Sequence, residues 1–328
     1  MIISRTPLRI SFTGGGSDLA SYYKYKVGAV VSTAINKYIY ITVNKKFDKL
    51  IRASYSITEF AKTPKKLKHE LIREALLLLG LDGGIEITSI SDIPSKGTGL
   101  GSSSTYIVGL LNALYAFRGK YISSESLAKQ ACYIEIEKCK KPIGKQDQYA
   151  AAYGNLNFIQ FNPDDTVSVD PIICRKETKM RLQENLLMLY TGLTRSSSSI
   201  LKEQNKSTIS SSSKRDTLFQ MVELAKELKK SLEQNKLDKF GDLLHQNWQL
   251  KKQMAEGISN KKIDEWYKKA RKNGAIGGKI LGAGGGGFLL LYAPKNTHQK
   301  ICSALSDLCP IDFIFEPEGS KIIYYGEK

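Results

Sequence analysis

The residues best suited to chemistry form a loop at positions 94–105, which reads PSKGTGLGSSST. Its glycines let backbone N–H groups approach a ligand, and the apolar helical pattern after it would place a helix N-terminus at the loop. Phosphate oxygens bind well there, and serine hydroxyls cap the helix or contact a phosphate-bound Mg²⁺. A plain glycine turn with a serine N-cap is the alternative, and without Gly-Lys-Ser/Thr the loop is not a Walker A loop. The candidate phosphate-binding residues are Lys96, Gly97, Gly99, Leu100, Gly101, Ser102, Ser103 and Ser104.

Acidic and basic residues elsewhere in the chain suit phosphoryl transfer. That reaction needs oxygen ligands for Mg²⁺, a group that orients or deprotonates the acceptor hydroxyl, and a cation that neutralises developing charge. The candidates are Glu135 or Glu137 as the metal ligand, Asp147 as the base, and Arg9, Lys96 and Lys145 as the cations. Each keeps an alternative, because such glutamates are usually solvated, an aspartate after a glycine turn is often a cap, and a strand arginine can form a surface ion pair.

Two further glycine-rich segments bring backbone close to another group. Residues 13–18, TGGGSD, follow a predicted strand and end at Asp18, which could also cap the next helix. Residues 282–287, GAGGGG, are too glycine-rich for an ordinary hairpin turn, and glycine in strand-like sequence often marks close approach of a ligand or backbone. A β-bulge or tight turn is the alternative.

The elements that must position these residues follow from hydrophobic periodicity. Strands are predicted at residues 2–12, 28–32, 38–43, 84–90, 158–161, 166–170 and 186–190, with a final pair around 313 and 322. Helices are predicted at residues 67–79, 124–140, 217–235, 237–255 and 263–273, and the serine-rich segment 191–215 reads as a mobile connection. The irregular order of strands and helices predicts an α+β fold. A composition shift near 170–185 suggests two domains, residues 1–178 and 179–328.

Composition limits the classes of function. The 328 residues carry a formal charge of +17, mostly on scattered lysines without the aromatic-interleaved pattern of a nucleic-acid binder, so a solvated surface biased toward anionic substrates is expected. Five cysteines without a C-x-x-C pair, together with three histidines, favour a reducing cytoplasm over a disulfide framework or zinc site. No apolar run is long enough to span a bilayer, so a membrane is not a predicted partner. Nucleic acid is not a predicted partner either, because the basic pattern that binds it is absent.

Three segments, in order along nearly the whole chain, resemble motifs of the GHMP kinase family, which includes galactokinases and the homoserine, mevalonate and phosphomevalonate kinases. PLRISFTGGGSD at residues 7–18 resembles the first motif, residues 97–104 the second, and residues 282–287 the third. Glu135, Pro142, Gly144, Asp147 and Gln148 resemble the galactokinase-type spacing E-x₆-P-x-G-x₂-D-Q, which favours Glu135 over Glu137. In one departure, Ser95 and Lys96 both stand where the family usually has one residue.

The resemblance implies an ATP- and Mg²⁺-dependent kinase whose active site lies between a ribosomal-protein-like N-terminal domain and a ferredoxin-like C-terminal domain. By position, Ser103 and Glu135 match the Mg²⁺ ligands, residues 97–104 the phosphate loop, and Asp147 the catalytic aspartate. Arg9 matches an arginine near the transferring phosphate, and Asp18 matches a sugar-hydroxyl ligand. The remaining expected substrate contacts are Gly14, Gly15, Gly16, Ser17, Lys145, Gly284 and Gly285.

Within the family, four segments resemble the branch that acts on D-glycero-D-manno-heptose 7-phosphate: PLRISFTGGGSDL, GLGSSS, PIGKQDQYAAAYG and GGKILGAGGGGF. That resemblance implies phosphorylation of the anomeric hydroxyl to give the 1,7-bisphosphate, for synthesis of nucleotide-activated heptose. The expected partner is a phosphorylated sugar, whose 7-phosphate is expected to contact residues 14–17 and Lys145. A homodimer is also expected. Two alternatives stay open: a kinase for fucose, galactose or another sugar, and a non-catalytic basic protein that binds nucleic acid.

Overall fold

The computed structural model describes residues 1–94, 97–193 and 197–326. Its strands are β1 (Ile2–Thr13), β2 (Gly28–Lys45), β3 (Ile51–Ser54), β4 (Thr58–Ala61), β5 (Ile85–Ser91), β6 (Leu156–Phe161), β7 (Val167–Pro171), β8 (Leu186–Tyr190), β9 (Gly277–Ile280), β10 (Phe288–Tyr292), β11 (Cys309–Pro310) and β12 (Lys321–Tyr325). Its helices are α1 (Ala20–Tyr23), α2 (Glu70–Leu79), α3 (Ser102–Phe117), α4 (Ser124–Cys132), α5 (Gln146–Tyr153), α6 (Lys176–Glu184), α7 (Ser197–Ser210), α8 (Ser212–Glu233), α9 (Phe240–Lys252), α10 (Lys261–Lys272) and α11 (His298–Ala304). Short 3₁₀ turns lie at Pro64–Lys66 and Lys295–Thr297, and a π-helical turn, Tyr133–Lys138, continues α4.

Two sheets organise these elements. The first has eight strands in the order β12-β1-β2-β5-β3-β4, with β6 pairing with β2 and β7 pairing with β6. The second has four strands in the order β11-β8-β10-β9. The pairings among these strands are antiparallel except for β3 with β5, so the predicted α+β class is confirmed.

Strand β1 is covered on both faces, and this decides where its polar residues can point. All of residues 6–13 are buried, because α3 and α8 both pack against β1 and β2. A charged side chain there must find polar partners inside the protein.

Helix α2 is an amphipathic helix, and it ends at Gly80, whose φ of 61° is the left-handed conformation that glycine adopts readily.

Several predicted elements differ from the structure. The strands predicted at 28–32 and 38–43 form one long strand, β2, and the strand pair predicted around 313 and 322 is wrong, since β12 pairs with β1 instead. The connection predicted at 191–215 is also wrong, because α7 and the start of α8 lie there. Propensity alone misleads at this segment, because serine is only mildly unfavourable in a helix that packs against its neighbours. The domain boundary after residue 178 stays a prediction.

Candidate active site

The predicted phosphate loop leads directly into α3, whose N-cap is Gly101. Gly101 has φ of 80° and offers no capping side chain, so the first N–H groups of α3 are left for a ligand. The loop also packs tightly on the late glycine run. A Cβ at Gly99 would lie 2.3 Å from the Leu281 carbonyl oxygen, and one at Gly282 would lie 2.5 Å from the Gly99 Cα. Lys96, predicted to bind phosphate, lies outside the described residues.

Arg9 and Asp147 form a closely paired couple beside this loop. The Arg9 Nε and Nη2 atoms lie 2.7 Å and 2.6 Å from Asp147 Oδ1, and Nη1 donates to the Gly99 carbonyl at 2.7 Å. Arg9 is buried in β1, whereas the Asp147 side chain is 24% exposed at the start of α5. The arginine therefore fixes the carboxylate against the phosphate loop, where Gly101 would carry a Cβ only 3.3 Å from Asp147 Cγ.

The environment of Asp147 raises its pKa above the ordinary value for an aspartate. Burial is the largest cause, and the Arg9 charge opposes the rise by favouring the ionised form. Asp18 and Glu135 add smaller increases through charge repulsion. An ionised carboxylate with a raised pKa is a better proton acceptor than an ordinary aspartate, which suits a general base.

Glu135 is fully buried and accepts four hydrogen bonds. Its Oε1 accepts from Ser103 Oγ at 2.7 Å and Lys141 Nζ at 3.0 Å, and its Oε2 accepts from Ser104 Oγ and Gln148 Nε2, both at 2.6 Å. The π-helical turn holds Glu135 in this position, since an extra residue in one helical turn shifts the following side chains around the axis. The competing candidate Glu137 points outward, with a side chain 61% exposed.

Lys141 completes this cluster and was missed by the sequence reasoning. Its Nζ lies 2.7 Å from Ser103 Oγ and 3.0 Å from Glu135 Oε1. A cation therefore already bridges the two oxygens expected to bind metal, and a carboxylate and a hydroxyl are suitable ligands for Mg²⁺ alongside phosphates. The residues present fit the expected ion. In the described ranges no group of three or more His, Cys, Asp or Glu residues could hold a metal by itself.

Two large cavities meet at this cluster. One, of about 580 Å³, lies over the phosphate loop and is lined by Arg9, Asp147 and Glu135 among others. The other, of about 560 Å³, is lined by aromatic side chains including His69 and Tyr106. Ser102, Ser103 and Lys141 line both cavities. The arrangement can accept a long ligand whose charged part lies at the helix N-terminus and whose aromatic part lies in the second cavity.

A third, smaller cavity of about 70 Å³ continues from the far side of Asp147. Three of the predicted substrate contacts, Asp18, Gly15 and Gly16, line it. Asp18 Oδ1 accepts from the Gly16 amide at 2.9 Å and from Gln146 Nε2 at 3.0 Å, so the carboxylate is held toward the cavity by its own loop and by α5.

The other expected substrate residues have different environments. Gly14 and Ser17 support the loop, since Ser17 Oγ donates to the Gly14 carbonyl at 2.8 Å and a Cβ at Gly14 would lie 1.9 Å from the Ala29 carbonyl oxygen. Lys145 pairs with Asp165 at 3.1 Å and is not among the residues that line the three cavities.

The two predicted glycines of the third motif also differ in their environments. Gly284 lines the 580 Å³ cavity, whereas the Gly285 amide donates to the Ile258 carbonyl at 2.9 Å. Gly285 is not among the residues that line that cavity.

Further residues of the site were also missed. Lys251 and Lys279 line the 70 Å³ cavity, and Ser198 and Leu201 of α7 line the 580 Å³ cavity. One signal could have found each lysine: Lys251 continues the buried face of α9 three residues after Trp248, and Lys279 stands in an apolar strand.

Comparisons with known proteins identify the family and the fold of this chain. Models described as "GHMP kinases N terminal domain" and "GHMP kinases C terminal" match residues 63–155 and 228–311. A D-glycero-alpha-D-manno-heptose 7-phosphate kinase of Campylobacter jejuni is 29% identical across 98% of both chains, and a mevalonate kinase of Pyrococcus horikoshii is 30% identical across 75% of this chain and 71% of that one. The crystal structure of a D-glycero-D-manno-heptose 1-phosphate kinase from Bacteroides thetaiotaomicron superimposes with a TM-score of 0.81 at 22% identity, covering all of both chains, and so supports the fold. Within the described ranges, no helix has the length and apolar character needed to cross a membrane.

Proposed function

The chain belongs to the GHMP kinase family, and we propose that it is an ATP-dependent sugar kinase that acts on D-glycero-D-manno-heptose 7-phosphate. The proposed reaction transfers the γ-phosphoryl group to the anomeric hydroxyl and gives the 1,7-bisphosphate. One observation carries the proposal: Asp147, fixed by Arg9, lies between the phosphate loop and the cavity lined by Asp18. The end-to-end match to the Campylobacter enzyme supports heptose over fucose or galactose.

The nucleotide would be held mainly by backbone. The open N-terminus of α3 and the glycine loop before it offer N–H groups and a positive dipole end to the phosphates. The 560 Å³ cavity is large enough for a nucleoside, and Tyr55, His69 and Tyr106 give it aromatic surface. Its junction with the larger cavity at Ser102 and Ser103 supports this orientation of the nucleotide.

Ser103 and Glu135 are the proposed Mg²⁺ ligands. When bound, Mg²⁺ neutralises charge on the phosphates of ATP. The hydrogen bonds that Ser104 and Gln148 donate to Glu135 Oε2 hold the carboxylate in place and leave Oε1 facing Ser103 and Lys141. Lys141 must then move from the oxygens that it now bridges.

Asp147 is the proposed base and Arg9 its positioning partner. The carboxylate would accept the proton of the acceptor hydroxyl as the oxygen attacks, and Arg9 would keep the carboxylate ionised beforehand. Because phosphoryl transfer depends mostly on alignment, holding the acceptor between Asp18 and Asp147 supplies much of the catalysis.

An acceptor panel tests the proposal. Release of ADP is measured with heptose 7-phosphate, unphosphorylated heptose, fucose and galactose, each with and without MgCl₂. The proposal expects the highest kcat/KM for heptose 7-phosphate, and a preference for an unphosphorylated sugar would contradict it. A homodimer and a cytoplasmic location remain predictions.

A further inference from the structure

Two buried lysines on the acceptor side of Asp147 have no role in the mechanism above. Lys251 on α9 and Lys279 on β9 are 5% and 4% exposed, and both line the 70 Å³ cavity. Arg9 and Asp147 line this cavity and the larger one alike, so the two spaces meet at the proposed base. Lysine is rarely buried this far unless it is paired with an acid.

The partners of both ammonium groups are neutral. Lys251 Nζ donates to Gln204 Oε1 at 3.0 Å and to the Gly15 carbonyl at 3.4 Å. Lys279 Nζ donates to the carbonyls of Ser11 and Phe12 at 2.8 Å and 3.0 Å. Neither forms an ion pair with a carboxylate of the described residues, and each ammonium, with three N–H groups, keeps one for a ligand.

A third donor in the same cavity has no hydrogen-bond partner among the described residues. The Ser11 hydroxyl is buried, lines the cavity, and makes no hydrogen bond to any described residue. Unpaired buried hydroxyls are uncommon in folded proteins and call for an explanation such as a missing ligand. Two ammonium groups and a hydroxyl around a small space form a site for an oxyanion.

The charges around the cavity agree with this conclusion. The pKa of Lys279 is lowered to about 7, mainly by burial and also by the neighbouring Lys251 ammonium and Arg9, and burial lowers the pKa of Lys251 to about 8. The two acids that face the cavity are already satisfied: Asp147 by Arg9, and Asp18 by amides of Gly16 and Gln146. A phosphate would supply the negative charge that the lysines lack.

We propose that Lys251, Lys279 and Ser11 form a subsite for the phosphate group of a phosphorylated sugar acceptor. The inference rests on the proposed function, since it assumes that the acceptor hydroxyl lies at Asp147, and it assigns the phosphate-binding residues. It replaces Lys145 in that role, because the Lys145 ammonium is engaged by Asp165 outside the cavity.

Substrate discrimination is the first test. The measured quantity is kcat/KM for heptose 7-phosphate divided by kcat/KM for unphosphorylated heptose. Lys251→Met should lower this ratio about 10- to 100-fold, the effect of one hydrogen bond to a charged group. The matched control is Lys252→Met on the same helix, whose ammonium pairs with Asp264 at 3.3 Å on the surface. An unchanged ratio in Lys251→Met, or a collapse in Lys145→Met instead, would overturn the assignment.

Proton uptake by the unmodified protein is the second test and needs no variant to fold. A phosphate bound to the lysines favours their charged forms, so binding at pH 8 should take up protons. Calorimetric titration with inorganic phosphate and with heptose 7-phosphate, in two buffers of different ionisation enthalpy, measures that uptake. Uptake in both titrations is the expected result, and the absence of uptake would refute the subsite.

The two tests separate this inference from the proposed function. If no sugar is phosphorylated with ATP, the proposed function fails, and the phosphate titration still decides whether the subsite binds an oxyanion. If heptose 7-phosphate is phosphorylated but the ratio is insensitive to Lys251, the kinase assignment stands and the subsite is wrong.

Discussion

Replacing Asp147 with asparagine removes a charge and a proton acceptor but almost no volume. The amide oxygen of the substituted side chain can still accept a hydrogen bond from Arg9, and Arg9 Nη1 still donates to the Gly99 carbonyl. The loss of stability should therefore stay below the ~3–5 kcal/mol measured for breaking a fully buried ion pair, since the Asp147 side chain is 24% exposed. The loss of a general base costs about 10²–10⁴ in rate, so kcat should fall by roughly a thousandfold.

Nucleotide binding should not suffer in the same variant. Removing a negative charge beside the phosphate loop leaves the Kd for ATP unchanged or lower, which separates a catalytic effect from a binding effect. Steady-state kinetics, ATP calorimetry and a thermal melt provide the three readouts. Asp165→Asn is the control, because Asp165 is 51% exposed and pairs with Lys24 and Lys145 away from the cavities. Turnover of Asp147→Asn within tenfold of the unmodified protein would refute the assigned role.

Three further predictions concern the metal, the glycine contact and pH. Lys141→Met should tighten Mn²⁺ binding roughly tenfold in an EPR titration, because a competing ammonium is removed; an unchanged Kd would contradict this. Gly99→Ala should lower the free energy of unfolding by about 1–3 kcal/mol, since φ is 75° and its methyl would lie 2.3 Å from the Leu281 carbonyl oxygen; denaturant titration measures it, and a loss under about 0.5 kcal/mol would count against the contact. The pKa of Lys279 is lowered to about 7 in the folded protein, so between pH 7 and pH 9 the unfolded state binds a proton that the folded state has released. Ligand-free protein should therefore gain stability relative to Lys279→Met as pH rises, and parallel pH curves for the two proteins would show that folding does not lower the pKa of Lys279.

The sequence reveals the parts of the site that are contiguous along the chain. The loop at 97–104 opens a helix because glycine and serine precede an apolar run, and the structure confirms that helix as α3. Glu135 and Asp147 lie twelve residues apart, and both face the same cavity. A short segment with strong local preferences needs little tertiary information to be placed.

The parts that the sequence did not reveal depend on contacts between distant segments. The sequence marks Lys251 and Lys279 only by the apolar residues beside them, and their partners come from distant segments: Gly15 and Gln204 for Lys251, and β1 for Lys279. Lys141 joins the hydrogen-bonded cluster around Glu135 only because the π-helical turn directs Glu135 inward. Helix α7 depends on packing against α8 and α1, which composition does not encode.

The most direct test of the central claim is ³¹P NMR of the reaction with ATP, Mg²⁺ and D-glycero-D-manno-heptose 7-phosphate. The account predicts a product that keeps its original phosphate resonance and gains a second one, coupled to the anomeric proton, in step with ADP formation. ADP formed without a sugar-bound second phosphate, or a phosphate attached to another hydroxyl, would contradict it.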